Sequence, residues 1–425
     1  MINIVPQSLL GTLLREIAPE ISDALDSVLS GNDLSYFQIL DLLNVSHKDL
    51  IAVLISADML RQSVKGEEVT YVVNRNINFT NVCIKRCGFC AFSRDFRHQQ
   101  ESYFLPISEI VRRAKQAWDL GATEVCIQAG LPPKMDGNFY VDITEAIKRD
   151  IPNIHIHGFS PEEVLYGSLR SKSTVKEYLV RLQKAGVGSL PGTSAEILDQ
   201  NVRDSIAPGR ITKNKWVEVI TTAHNLGIPT TATMMYGHVE SNENIVNHLL
   251  EIRNIQKSTY GFTEFVPLSF VHEEAPMNTS GVFGDINLGP SPLKVMLIHA
   301  VSRLALINYI NNIQVSWVKE GHAMSQFLLS CGVNDMGGTL INESISTSAG
   351  AKHGQLTSPK QIKSLILEIN KLPVERDSVY NQISVGDNNQ IHPLDLVENP
   401  DKEFGSYFDL VKSDAFRFQH PNKKY

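Results

Sequence analysis

From residue 69 onward, β-rich runs and amphipathic helical runs take turns along the chain, and this alternation constrains the fold more than any other feature. VTYVVNRNINFT (69–80) opens the series and is followed by a cysteine-bearing loop and PISEIVRRAKQAWDLGA (106–122). In that segment Ile107, Ile110, Val111, Ala114, Ala117 and Trp118 recur at helical spacing, with Gly121 where a C-terminal stop belongs. TEVCIQAG, NIHIHGF, GSLPGT, IPTTATMMYG, GFTEFVPLSF, NIQVSW and DMGGTL are the later strand candidates, with helical segments between most of them. Strands joined through helices pair in parallel, so the fold class is α/β, a closed or nearly closed β/α barrel of eight strands. Barrels of this kind hold their chemistry at the C-terminal strand ends.

The rest of the chain divides around that barrel. Residues 1–68 read as helices of an N-terminal adaptor, 69–310 as the barrel core, 311–385 as a barrel-closing and substrate region, and 386–425 as a polar, turn-rich, partly ordered tail. A chain of 425 residues with 42% hydrophobic and 20% charged residues has the material for a large core, which excludes global disorder. The net charge of −7 argues against a general nucleic-acid or membrane-surface binder. No apolar run approaches the ~20 residues of a membrane span. The first residues lack the basic segment and cleavage site of a secretory signal. Five cysteines are too few for a disulfide framework in so long a chain, and the expected compartment is the reducing cytoplasm.

Three of those cysteines sit together. Cys83, Cys87 and Cys90, in NVCIKRCGFCAFSRD, have C-x3-C-x2-C spacing directly after the first strand. Thiolates are soft ligands, and three on one short loop can hold three irons of a cubane cluster while a fourth iron stays open. Gly88 lets the backbone approach such a cluster. A structural zinc site needs four closed ligands and there is no second C-x2-C; His98 lies at an unusual distance for the missing one. Cys126, in an apolar strand, and Cys331, in a helix, read as small core residues.

C-x3-C-x2-C with Phe89 before the last cysteine resembles the radical S-adenosylmethionine (SAM) enzymes. IQAGLPP (127–133), LPGTSAEIL (190–198), TATMMYGHVE (231–240), EFVPLSFVHEEAP (264–276) and NDMGGTLINESISTSAGAKHG (334–354) narrow the likeness. Together they resemble the FO synthase subunit 2 family, the 5-amino-6-(D-ribitylamino)uracil–L-tyrosine 4-hydroxyphenyl transferases, from about residue 45 to 380. Ala129 departs from the family's Gly, and Thr347 from a frequent Arg. The resemblance implies one [4Fe-4S] cluster on the three cysteines, with SAM on the open iron, split into methionine and a 5′-deoxyadenosyl radical. It further implies L-tyrosine and the ribitylaminouracil as substrates, 2-iminoacetate as co-product, and deazaflavin (FO, coenzyme F420 precursor) biosynthesis as the context. A companion radical SAM enzyme, FO synthase subunit 1, and an electron donor of ferredoxin or flavodoxin type are the implied partners.

The remaining candidates lie at strand ends. Resemblance makes Gln128, Ala129 and Gly130 the segment that receives the SAM ammonium; the bland alternative is an ordinary strand-to-helix turn. Glu196 is a candidate for the ribose hydroxyls or ammonium of SAM, or else a residue favoured by a helix dipole. Arg210 and Lys213 are candidates for the SAM carboxylate, or solvated surface charges. His155 and His157 share one face of their strand and are expected to point inward, with His157 near substrate. His238 and Glu240, a polar pair ending the fifth strand, are the expected catalytic residues. Asn334, Asp335 and Glu343 flank the eighth strand as expected substrate contacts, with Gly337 and Gly338 allowing close approach. Two other readings remain: an enzyme like the aminofutalosine synthase of menaquinone synthesis, and a non-catalytic metal-binding barrel.

Overall fold

The computed structural model describes residues 16–420 except Ser46, 98–99, 282–287 and 387–390, so His98 and the ends of the adaptor and tail lie outside the described residues. The strands are β1 (Glu68–Val72), β2 (Asn74–Ile77), β3 (Glu124–Ile127), β4 (His155–His157), β5 (Thr230–Tyr236), β6 (Phe262–Ser269), β7 (Asp335–Gly338), β8 (Leu372–Arg376) and β9 (Gln382–Val385). β1 and β2 are two halves of the first barrel run. β2 pairs with β3, and β3 with β4, in parallel. His157 then bridges Ser189, and Leu190 bridges Thr230 at the start of β5. β5 pairs with β6, Phe265 bridges Ile313, Gln314 bridges Asp335, and β7 pairs back to β1. Every one of these links is parallel, and together they return to the first strand. The pairing therefore closes a β/α barrel, with the segments around Ser189 and Ile313 contributing single bridges.

Helix Ile107–Asp119 shows how the sequence pattern becomes packing. It buries Ile110, Ala114 and Ala117 and stops before Gly121, whose φ of +86° suits a residue without a Cβ. Trp118, which shares the helical spacing, is exposed, so the buried stripe is narrower than the apolar pattern. Helix Pro161–Arg170 starts in a capping box in which Ser160 and Glu163 satisfy each other's backbone N–H groups. Glu163 also lines the cavity described below.

One element breaks the alternation. β8 adds parallel to β1 outside the ring, and β9 folds back antiparallel on β8. The segment LPVERDSVYNQISV carries too many charged and polar residues to read as a strand pair, yet Val374 and Arg376 are buried. The hairpin thereby brings Arg376 to the cavity wall.

The N-terminal helices Pro19–Leu29, Tyr36–Leu43 and His47–Lys65 lie on the outside of the barrel. Arg253 Nη1 donates to Leu34 O at 2.8 Å, and Lys257 Nζ is 2.7 Å from Asp33 Oδ2. Within the tail, Phe404, Tyr407, Val411 and Phe418 are buried, and the Arg75 guanidinium stands 5.3 Å from the Phe404 ring centroid. Among the described residues no helix is long and apolar enough to cross a membrane.

Candidate functional site

The ends of the strands open into a cavity of about 400 Å³, and the cysteine loop closes one side of it. That loop is pinned from several directions. Ile84 N donates to Leu131 O (2.8 Å), Gly88 N to Ile206 O (2.7 Å) and Met277 N to Gly88 O (2.7 Å). A Cβ on Gly130 would collide with the Val82 carbonyl oxygen, so glycine at the second strand end is what lets the loop pack down on it.

Cys83, Cys87 and Cys90 all line the cavity and all are free thiols. Burial pushes the Cys83 thiol up and the Cys87 thiol up to about 12, the latter opposed by Arg210. These thiols ionise when a metal displaces their protons. Donors already face the sulfurs: Arg210 Nη1 lies 3.1 Å from Cys87 Sγ, and Lys85 N lies 3.4 Å from Cys83 Sγ. Among the described residues no three His, Cys, Asp or Glu side chains converge on a single-ion site. An open set of three thiols suits a multi-iron cluster, with one iron per thiolate, better than zinc.

Beside the loop the structure brings the predicted cofactor residues together. Arg210 Nη2 stands 3.3 Å from Glu196 Oε1 and donates to Ser194 Oγ at 2.9 Å, and its guanidinium lies over the Phe89 ring. Ser194 (φ +65°) and Glu196 (φ +41°) both have left-handed backbone without being glycine, a strain that favours a functional turn. Arg203 Nη1 holds the other Glu196 oxygen at 3.3 Å. Gln128, Ala129 and Gly130 line the same region. The Gln128 carbonyl accepts from Asn78 Nδ2 at 2.8 Å, and Ala129 N donates to Glu163 Oε1 at 2.9 Å. Burial pushes the Glu163 carboxyl up to about 7, against the donors from Ser160 and Ala129. Lys213 lies elsewhere, in an ion pair with Glu251 at 2.8 Å.

The barrel interior is mixed in chemistry. Asn74, Asn76 and Asn78 alternate inward along the first strand run, as do Glu124, Cys126 and Gln128 along the second. The Oδ1 atoms of Asn76 and Asn78 are buried without a hydrogen-bond partner among the described residues. His157 continues this polar wall on β4. Its Nδ1 lies 2.7 Å from Ser189 Oγ, which His155 Nε2 shares at the same distance, and burial pushes the His157 imidazole down to about 4. Met235, Val266, Leu268, Phe270, Val318 and Leu340, from the later elements, add apolar side chains, interrupted by Glu264, Gln314 and Arg376. Glu343 also reaches the cavity, its carboxylate accepting from Ser346 N at 2.9 and 3.0 Å.

Five sequence readings need correction. His238 and Glu240 do not line the cavity: Glu240 accepts from Gly237 N (2.7 Å) and His238 N (2.8 Å), and the His238 ring bonds the Met235 carbonyl and Val239 N. The pair shapes the turn after β5. Asn334 and Asp335 lie at the start of the last barrel strand, the end away from the chemistry. Asn334 is taken up by Arg303 and Ile313 N, and Asp335 by Thr70, Arg376 and Gly337 N. Cys126 faces the cavity instead of the core. The sequence reading also missed Lys319, Glu124, Glu264, Arg376 and the asparagine row. Only the row left a signal, in NRNINF, where every second residue of a barrel strand is an amide.

Comparison with known proteins agrees with this geometry. The family model described as "Radical SAM superfamily" matches residues 77–252, and that described as "CofH/MqnC C-terminal region" matches 259–388. A 5-amino-6-(D-ribitylamino)uracil–L-tyrosine 4-hydroxyphenyl transferase of Methanothermobacter thermautotrophicus is 46% identical over 363 residues, 85% of this chain and 96% of the relative. The protein of the same name from Methanocaldococcus jannaschii is 48% identical over 76% of this chain and 90% of its own. Among solved structures, the FeFe-hydrogenase maturase HydG of Carboxydothermus hydrogenoformans superposes with a TM-score of 0.65 at 16% identity, covering 88% of this chain and 83% of that one. Methylornithine synthase (PylB) gives 0.64 at 19%, covering 82% and 96%. At such identity these two speak for the fold alone.

Proposed function

Because the chain belongs to the radical SAM family of 5-amino-6-(D-ribitylamino)uracil–L-tyrosine 4-hydroxyphenyl transferases, we propose that it joins the 4-hydroxybenzyl group of L-tyrosine to that uracil. The observation that carries this reading is a loop of three free thiols opening into a cavity lined by a row of inward polar side chains and by a group of apolar ones. Cys83, Cys87 and Cys90 would hold the [4Fe-4S] cluster. Glu196, Arg210 and the Gln128–Gly130 segment would hold SAM, where anionic and cationic groups complement its ammonium and carboxylate. Bound there, cluster and SAM would supply the one-electron chemistry that activates tyrosine.

The chain's own part is placement and exclusion of water. The apolar side chains of Leu268, Phe270 and Val318 suit the aryl ring of tyrosine. The Asn76 and Asn78 carbonyls, with Glu124 and His157, offer acceptors to the N–H and O–H groups of the uracil and its ribityl chain. Tyrosine would then divide at Cα–Cβ into the benzyl group, which joins C5 of the uracil, and 2-iminoacetate, which keeps the carboxylate. The adduct closes its shell by losing one proton and one electron, which balances the electron taken up in SAM cleavage. An electron donor of ferredoxin or flavodoxin type in the cytoplasm and a companion enzyme that closes the deazaflavin ring complete the reading.

The test compares two substrate sets. Anaerobically reconstituted protein is given SAM with tyrosine and the ribitylaminouracil, or with the enolpyruvyl-bearing substrate of aminofutalosine synthesis. Mass spectrometry is expected to find an adduct with the first set only. An adduct with the second set alone would reverse the assignment.

A further inference from the structure

Four lysine and arginine side chains line the cavity: Lys85, Arg210, Lys319 and Arg376. Three already have a carboxylate. Lys85 Nζ is 3.2 Å from Glu162 Oε1, Arg210 Nη2 is 3.3 Å from Glu196 Oε1, and Arg376 Nε is 2.6 Å from Asp335 Oδ2. Lys319 differs. Among the described residues its ammonium makes neither an ion pair nor a hydrogen bond, and only the more distant charges of Glu343 and Glu320 act on it. Glu343 is engaged by backbone, accepting from Ser346 N and, at 3.2 Å, from Thr347 N. Burial lowers the affinity of Lys319 for its proton, and those two carboxylates oppose the shift.

A half-buried ammonium that lines a cavity without a carboxylate in ion-pair contact is free to take an anionic ligand, and such a ligand offsets the cost of its partial burial. Lys319 also stands in the right place for one. It follows Gln314–Ser316 at the C-terminal end of the seventh strand segment, next to Val318. In the order of pairing, this position is separated from the Gln128–Gly130 strand end by the last and first strands. It is therefore beside Val318 and away from the charged groups assigned to SAM.

We propose that Lys319 binds the carboxylate of the amino-acid substrate. The assignment rests on the reading of tyrosine as that substrate. With the aryl ring against Leu268 and Phe270, the ammonium of Lys319 fixes the opposite end of the molecule. When Cα–Cβ breaks, the carboxylate stays on the two-carbon fragment, so Lys319 retains 2-iminoacetate while the benzyl group crosses to the acceptor wall. Lys319 is thus also a specificity residue: it selects an α-amino acid over the corresponding neutral amide.

The test is a binding measurement on reconstituted, SAM-loaded protein, comparing L-tyrosine with L-tyrosinamide, in which a neutral amide replaces the carboxylate. The wild type is expected to prefer tyrosine. Lys319→Met is expected to lose roughly tenfold to a hundredfold in tyrosine affinity, the worth of a hydrogen bond to a charged group. Tyrosinamide and SAM affinities should be unchanged, which a merely structural role would not produce. If the methionine variant fails to fold, Lys319→Gln gives the same reading. Equal losses for both ligands, or none, overturn the assignment of Lys319 while leaving the transferase reading in place. A wild-type protein that binds SAM but no tyrosine overturns both.

Discussion

Alanine in place of Cys83, Cys87 or Cys90 yields a folded protein that neither retains a cluster nor cleaves SAM. Each thiol sits on a loop fixed by backbone bonds to Leu131, Ile206 and Met277, so the scaffold survives loss of one sulfur. Changes outside the ligand shell of a metal site already cost roughly 10–100-fold, so losing a ligand costs at least about a hundredfold in 5′-deoxyadenosine formation. Cys126 is the one other thiol in the cavity, but it lies on the β3 wall, where its sulfur accepts from Gln128 Nε2 at 3.4 Å. Cys126→Ser therefore keeps the cluster. Iron and sulfide content, with 5′-deoxyadenosine release, measure both outcomes. Substantial SAM cleavage by any of the three loop variants would sink the ligand assignment.

Arg376→Met should cost the fold about 3–5 kcal/mol, the usual penalty for breaking a buried ion pair from one side. Arg376 holds Asp335 through Nε (2.6 Å) and Nη2 (3.1 Å), and its Nη2 lies 3.5 Å from Glu264 Oε2. Removing the guanidinium leaves Asp335 buried against Thr70 alone among side chains, and Glu264 against Tyr380. Burial already pushes the Glu264 carboxyl up to about 7, with Arg376 pulling the other way. Neutralising the partner as well, in Arg376→Met with Asp335→Asn, recovers part of the loss. Denaturant unfolding of both variants measures this. A single variant within about 1 kcal/mol of wild type would mean that the hairpin does not depend on the pair, as an exposed bridge would not.

How much of this was legible depends on whether a residue's role is local. The barrel and the cysteine loop could be read because their signals lie in contiguous stretches: alternating strand and helix patterns, and three thiols within eight residues. The GTSAE turn was also visible, although not that Glu196 and Arg210 pair with each other. His238 and Glu240 misled because a polar pair at a strand end serves equally well to bond the turn's own amides, as it does here. Asp335 misled although the C-terminal-end rule already spoke against it, because it opens DMGGTL and so lies at the far end of the strand. Lys319 sits in SWVKEG, where nothing distinguishes it from a solvated lysine; only the three-dimensional count of cations against carboxylates does. The β8–β9 hairpin escaped because its buried positions are few and one of them is an arginine.

Transfer of the tyrosine side chain to the uracil is tested most directly with L-tyrosine labelled with carbon-13 at Cβ. Reconstituted protein, reductant, SAM and the ribitylaminouracil are incubated anaerobically, and the products are resolved by mass spectrometry. The account predicts an adduct that carries the label and glyoxylate, the hydrolysis product of 2-iminoacetate, that does not. Label in the glyoxylate, or 5′-deoxyadenosine released with both substrates present and no labelled adduct, would contradict it.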